Sequence, residues 1–203
     1  MESSQVIEFL NTEEIRNSIQ ETNKLDYAYD QFHVPDRDLL TRYFLDLGIN
    51  PADHVKDKIY NSMYANVALG SEFILNPHIV LIERYGFFGA RGVSFKTLPG
   101  SKLTRISSQA FTYSDFHELS FAEGLLQIDP SAFREMIYLK TISLPKSLAQ
   151  LGSEIFINCY NLDKINYAGT VEELELLLGK SASSPFGGID CESVTCSDGK
   201  FVL

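Results

Sequence analysis

Cysteines, basic residues and long apolar runs are all scarce in this chain of 203 residues. Three cysteines are too few for a disulfide framework, so we expect a reducing compartment. No apolar run approaches the roughly 20 residues that a membrane-spanning helix needs, and the polar residues 1–5 do not resemble a signal peptide. We therefore predict that the chain has no membrane span and is cytoplasmic or virion-associated.

Negative charge predominates, with 17 basic against 27 acidic side chains and a net charge of −10. Because proteins that bind nucleic acids present a basic surface, we expect no nucleic-acid partner. Hydrophobic residues make up 44% of the chain and charged residues 22%. These proportions are those of an ordinary globular protein, and they exclude a wholly disordered chain.

Residue patterns for catalysis or metal binding are also missing. The four histidines stand apart, and no two histidines or cysteines have the short spacing of zinc ligands. Cys191 and Cys196 could form a disulfide or a soft metal pair, but two ordinary thiols are the simpler interpretation. The glycine-rich residues 86–92 do not have the pattern of a phosphate-binding loop. We predict no catalytic residue, no metal site and no cofactor, and hence no enzyme activity.

The first 78 residues carry most of the negative charge, −7 of the −10, and show helical periodicity. A first helix is predicted to open at Thr12–Glu14, with Thr12 or Asn11 as its N-cap. A second helix is predicted to open at Pro35–Asp38 and to end at Gly48. A third is predicted from Asn50–Pro51 to Gly70. The apolar residues that define these helices are Ile15 and Ile19; Leu40, Tyr43, Phe44 and Leu47; and Val55, Ile59, Met63 and Val67.

After residue 79 the chain repeats itself at intervals of 22 or 23 residues. Four alignment columns run through four successive coils, and the first coil is degenerate because Lys96 stands in an apolar column. The columns are Phe88, Phe111, Phe133 and Phe156; Val93, Phe116, Leu139 and Leu162; Lys96, Leu119, Ile142 and Ile165; and Leu98, Phe121, Leu144 and Tyr167.

Each repeat predicts a short strand followed by a turn. Ile142 and Leu144 point to one side of their strand, and Thr141 and Ser143 point to the other. One such coil cannot bury its apolar side alone, but stacked coils share a continuous core, as in a solenoid. We expect the phenylalanine column to form an aromatic spine inside that core.

The repeat resembles a known family. Its unit is Leu125–Ile128, Ala132–Phe133, Leu139 and then Ile142–Pro145, which is similar to the BspA-type (Treponema pallidum-type) leucine-rich repeat. The resemblance covers about residues 79–199, and the tail resembles the terminal element that closes many such arrays. It implies a short solenoid with parallel strands. Members of this family often bind other proteins.

These observations predict an α+β fold, in which a helical N-terminal segment precedes a leucine-rich-repeat solenoid of about four coils. We expect residues 1–78 to be a cap or a small separate domain. Residues 79–170 are expected to form the repeats, and residues 171–203 a C-terminal helix, loop and closing strand.

The outward side of the stacked strands is the candidate binding surface. Because neighbouring strands lie about 4.8 Å apart, outward side chains should align in two columns. A polar surface of mixed charge is suited to protein recognition, although a plain solvated sheet face is the alternative. The predicted partner-binding residues are Phe95, Thr97, Glu118, Ser120, Thr141, Ser143, Lys164 and Asn166.

The leading functional prediction is a non-catalytic protein–protein interaction module. The alternative is a structural or accessory protein of a virus or phage, in which residues 1–78 dock and the repeats face outward. A third class, an enzyme or inhibitor with its chemistry in residues 1–78, has no positive support in the sequence.

Overall fold

The computed structural model describes residue 13 and residues 25–31, 36–181 and 183–203. The first predicted helix, with Thr12, Ile15 and Ile19, lies outside these residues. Two helices follow it: α1 spans Leu25–Gln31 and α2 spans Arg37–Asp46. Helix α2 corresponds to the second predicted helix, and Gly48 follows it with a left-handed φ of 76°.

The third predicted helix is wrong. Asn50 caps only a three-residue 3₁₀ turn, Pro51–Asp53, by accepting a hydrogen bond from the Ala52 N–H at 3.2 Å. The chain then enters strand β1 (Lys58–Ile59). The apolar residues of the predicted helix are indeed buried, but Val55 precedes β1, Ile59 lies within it, and Met63 and Val67 lie in the turns that follow. Left-handed φ values of 60° at Ser62 and 57° at Asn66 are incompatible with a helix there.

Residues 58–167 form a solenoid of five coils with parallel strands, one coil more than the sequence predicts. Each coil contributes one short strand to a five-stranded sheet and one longer strand to a seven-stranded sheet. The five-stranded sheet is ordered β1-β3-β5-β7-β9, and all of its neighbours are parallel. In the same order, β1 is Lys58–Ile59, β3 is Leu81–Ile82, β5 is Arg105–Ile106, β7 is Gln127–Ile128 and β9 is Gln150–Leu151.

The seven-stranded sheet is ordered β12-β11-β10-β8-β6-β4-β2. The β11–β12 pair is antiparallel, and all the other neighbouring strands in this sheet are parallel. Strand β2, which includes Phe73 and Ile74, lies at one edge of this sheet. In chain order, β2 is Glu72–Ile74, β4 is Ser94–Lys96, β6 is Glu118–Ser120, β8 is Thr141–Leu144, β10 is Lys164–Tyr167, β11 is Ser193–Thr195 and β12 is Lys200–Val202.

The core lies between the two sheets. In the seven-stranded sheet, register aligns one apolar residue of each coil, and all five are buried: Phe73, Phe95, Leu119, Ile142 and Ile165. The five-stranded sheet adds the buried column Ile59, Ile82, Ile106, Ile128 and Leu151. Because each coil covers the apolar side of its neighbours, burial is continuous along the array.

An aromatic spine runs through this core, but its second-coil member is Phe87 and not Phe88. Phe88 is only partly buried and packs edge-on against Tyr85 and Tyr113 at the surface. Adjacent spine rings have centroids 4.9–6.1 Å apart. The spine is Tyr64, Phe87, Phe111, Phe133, Phe156 and Phe186.

Each coil turns between its two strands through two left-handed positions four residues apart. The φ values at these positions lie between 50° and 62°. They recur in every coil, so the turn has one geometry throughout the array. The first position holds Ser62, Tyr85, Gln109, Ser131 and Glu154, and the second holds Asn66, Gly89, Tyr113, Glu135 and Asn158.

Helices α1 and α2 pack against the first coil. The Tyr29 ring stacks on Tyr60 with centroids 5.5 Å apart, and the Tyr29 hydroxyl lies 2.6 Å from the Thr41 hydroxyl. The Thr41 hydroxyl in turn donates to the Met63 carbonyl of the first coil. Tyr60 donates to the Asp26 carboxylate at 2.7 Å. The aromatic spine therefore ends beneath these two helices.

The other end of the solenoid is covered by helix α3 (Val171–Leu178) and the loop that follows it. Thr170 and Glu173 form a reciprocal capping box at the start of α3, and Leu174 and Leu177 are buried. The Phe186 ring stacks on Phe156, with centroids 6.1 Å apart. None of the helices in the described part of the chain has the length and apolar character to cross a membrane.

Candidate interaction surface

The outward side chains of strands β2, β4, β6, β8 and β10 form two columns, which together we call the strand face. Strand register sets the alignment, so side chains in each column are separated by one strand spacing, about 4.8 Å. The first column is Glu72, Ser94, Glu118, Thr141 and Lys164. The second column is Ile74, Lys96, Ser120, Ser143 and Asn166.

Six of the eight predicted residues lie on the strand face: Glu118, Ser120, Thr141, Ser143, Lys164 and Asn166. For Phe95 and Thr97 the predicted orientation is wrong. Phe95 is 1% exposed and Thr97 is 6% exposed. The Thr97 hydroxyl accepts a hydrogen bond from the Ala122 N–H at 2.7 Å, so its side chain belongs to the interior.

The error follows from placing Phe88 in the spine. A shift of one residue along a strand exchanges its two faces, so the inward Phe95 is taken for an outward residue. With Phe87 in the spine, Phe95 follows after eight residues, just as Leu119 follows Phe111. This equal spacing is the signal that identifies Ser94 and Lys96 as the outward pair. Glu72 and Ile74 are missed because the first coil is mistaken for a helix.

Charges on the strand face are only partly paired. Lys96 lies 2.5 Å from the Glu72 carboxylate, and the Asn166 amide donates to the Ser143 hydroxyl at 3.2 Å. Within the described residues, Glu118 and Lys164 have no ion-pair partner. Thr141 separates them in the same column. The strand face thus presents one free carboxylate on its third strand and one free ammonium group on its fifth.

The thiols lie away from this surface chemistry. All three cysteines are free and buried. The Cys159 thiol donates to the Phe133 carbonyl at 3.0 Å, and burial raises its pKa to about 12. Among the residues that the structure describes, no three His, Cys, Asp or Glu side chains converge where they could hold a metal ion. The glycine-rich residues 86–92, which the sequence distinguishes from a phosphate-binding loop, form a corner of the second coil.

Comparison with known families identifies the repeats. A family model described as the BspA type leucine rich repeat region matches residues 57–177 in 6 copies. The match begins at the first coil of the solenoid and ends in helix α3. No curated protein matches the chain.

Proposed function

Because the chain belongs to the family of proteins with BspA-type leucine-rich repeats, we propose that it is a non-catalytic module that binds another protein through its strand face. Repeats of this family typically mediate protein interactions. The observation that carries the proposal is the strand face itself, an exposed polar surface that spans all five coils. The partner-binding residues proposed on it are Glu118, Ser120, Thr141, Ser143, Lys164 and Asn166.

The geometry of the strand face supports recognition of a protein rather than of a small molecule. Its side chains project from hydrogen-bonded parallel strands, so their spacing is fixed before a partner arrives. Binding therefore costs little backbone ordering. The free Glu118 and Lys164 groups are separated by two strand spacings, about 9.6 Å. Opposite charges on a partner at that spacing would set the register of the complex.

We further propose that residues 25–55 act as the N-terminal cap of the solenoid. A solenoid exposes apolar surface at its end coils unless another element covers it. Tyr29, Leu40 and Phe44 are buried against the first coil, which supports this role. The cap would leave the strand face, on another side of the array, as the surface available for binding.

The experiment that tests the strand face is a double charge reversal, Glu118→Lys with Lys164→Glu. After a partner has been captured from the native source and purified, its affinity is measured by calorimetry. We expect the reversal to weaken binding by at least tenfold, as for charged groups at the centre of an interface. The matched control is Glu175→Lys with Lys180→Glu, which reverses two exposed charges at α3 and should leave the affinity unchanged.

A truncation lacking residues 1–24 provides the contrasting measurement, because it retains α1 and the contacts of Tyr29. We expect the truncated protein to bind with the affinity of the full chain. If binding is lost on truncation and is unaffected by the double reversal, the strand-face proposal is wrong.

A further inference from the structure

A groove of about 450 Å³ lies where strands β6, β8 and β10 end, at the carboxyl edge of the seven-stranded sheet. Phe121, Leu144 and Tyr167, which are almost completely buried, line it, as do Pro99 and Gly100. Ser143 and Asn166 of the strand face also line it. We call this cavity the edge groove. Its volume is within the range of sites that enclose a small ligand or a single large side chain.

Tyr167 supplies a polar group without a partner at this groove. The residue is only 4% exposed, yet its hydroxyl makes no hydrogen bond with any residue that the structure describes. The Gly169 backbone lies close beside the ring, because a Cβ atom there would be 2.5 Å from Tyr167 Cε1, and the Glu173 carboxylate lies on the same side. The Tyr167 hydroxyl is not among the buried polar atoms of the described residues, so solvent reaches it. A hydroxyl that is accessible and has no protein partner is available to hydrogen-bond a ligand in the groove.

The groove is acidic. Among the described residues that line it, Glu123 is the only charged one. Its carboxylate is held in place by the backbone N–H groups of Lys146 and Ser147, at 3.2 and 3.0 Å. Burial raises the pKa of Tyr167, and the nearby Glu173, Cys196 and Glu123 raise it further. The phenol therefore stays neutral at physiological pH and can accept a hydrogen bond from a cation.

We propose that the edge groove binds an arginine side chain of the partner protein. The inference rests on the proposed function, because it names one residue of the protein that the strand face would bind. The planar guanidinium group of arginine stacks on aromatic rings and donates several hydrogen bonds in one plane. The compact ammonium group of lysine is less suited to both interactions. Phe121 and Tyr167 provide the rings, and Glu123 provides the carboxylate.

Continuity with the strand face supports this choice of ligand. Ser143 and Asn166 belong both to the strand face and to the lining of the edge groove. A partner lying across the strand face would therefore bring its side chains to the groove without any rearrangement of the solenoid. The net charge of the chain, −10, also favours a basic partner.

The test uses a capped tripeptide, acetyl-Gly-Arg-Gly-amide, titrated into the full chain and followed by amide NMR shifts. The matched probe contains citrulline, which has the shape of arginine without its charge. We expect saturable shifts at the edge groove with the arginine peptide only. Glu123→Gln and Tyr167→Phe should each weaken binding about tenfold, as for the loss of a hydrogen bond to a charged group. Glu118→Gln, on the strand face outside the groove, should have no effect.

Glu123→Gln could disturb the turn at residues 146–147, so Tyr167→Phe provides a second test of the groove. The Tyr167 hydroxyl that it removes has no hydrogen-bond partner in the described chain. Equal shifts with arginine and citrulline would overturn the proposal. So would arginine-dependent shifts that persist in both groove variants, since these would reflect general attraction to an acidic protein. These results are independent of the charge reversal at Glu118 and Lys164, so failure of the groove and failure of the strand face are distinguishable.

Discussion

On the outer side of the five-stranded sheet, charged residues bind one another across the coils, whereas Glu118 and Lys164 of the strand face do not. Lys58 of the first coil lies 3.0 Å from Glu83 of the second. Arg105 of the third coil lies 2.7 Å from Asp129 of the fourth, and Gln127 donates to the same Asp129 carboxylate at 2.6 Å. The five-stranded side uses its charges to join the coils.

The strand face has one such pair, Lys96 with Glu72, at its N-terminal end. Glu118 and Lys164 form no such ion pair among the described residues. This difference supports the proposal that one side holds the solenoid together and the other is available to a partner. Substitutions should therefore lower the free energy of unfolding by different amounts, from several kcal/mol in the shared core to almost nothing at Glu118 and Lys164.

The largest expected effect is that of Phe133→Ala, which removes a ring from the core that both sheets share. Phe133 is fully buried, and its ring centroid lies 5.5–6.0 Å from those of Phe111, Phe121 and Phe156. We expect a loss of about 3–5 kcal/mol in the free energy of unfolding, measured by urea denaturation. A stability within 1 kcal/mol of wild type would show that the spine does not hold the coils together.

Gly152→Ala should have the next largest effect, on the five-stranded side. A Cβ atom at Gly152, directly after strand β9, would lie 2.2 Å from the Pro130 nitrogen of the preceding coil. The two coils must separate to admit it, so we expect a loss of about 3 kcal/mol. The matched control is Gly179→Ala at the end of α3, where the nearest atom is 3.4 Å away and φ is −61°. Equal melting temperatures for the two variants would contradict the close approach at Gly152.

The sequence predicts the regular coils of the solenoid well, because apolar and polar residues alternate along their strands. Ile142 and Leu144 are apolar and buried, whereas Thr141 and Ser143 are polar and face outward. The prediction fails in the first coil for a physical reason. Apolar residues at the corners of a coil recur about every four positions, which is also the period of a helix. In the second coil, two adjacent phenylalanines permit two alignments, and only the alignment with Phe87 in the spine gives the eight-residue spacing that separates Phe111 from Leu119.

The edge groove could not be predicted from the sequence in the same way. Phe121 and Glu123 come from one coil and Asn166 and Tyr167 from another, and the repeat pattern does not distinguish Phe121 and Tyr167 from other core residues. Their proximity depends on the register of strands β6, β8 and β10. The lack of a hydrogen-bond partner for the Tyr167 hydroxyl is likewise a property of the folded chain. The strand face differs, because the alternation within each repeat identifies most of its residues.

A matched pair of substitutions compares the ion pairs on the two sides. Asp129 is 8% exposed and accepts hydrogen bonds from Arg105 and Gln127, so Asp129→Asn should cost about 1 kcal/mol. Glu72→Gln removes the exposed pair with Lys96 and should cost no more than about 0.5 kcal/mol. Both are measured by urea denaturation in the same buffer. A larger loss for Glu72→Gln would reverse the assignment of roles to the two sides.

The smallest expected effect is the coupling between Glu118 and Lys164, measured by a double-mutant cycle with alanine substitutions. The two residues lie two strand spacings apart, about 9.6 Å, and both are exposed. At this separation in water, attraction between unit charges is about 0.4 kcal/mol, and physiological salt reduces it to about 0.1 kcal/mol. The cycle on Arg105 and Asp129 should give about 0.5–1 kcal/mol. If the Glu118–Lys164 coupling were as large, these charges would stabilise the solenoid, and their reversal could not separate binding from folding.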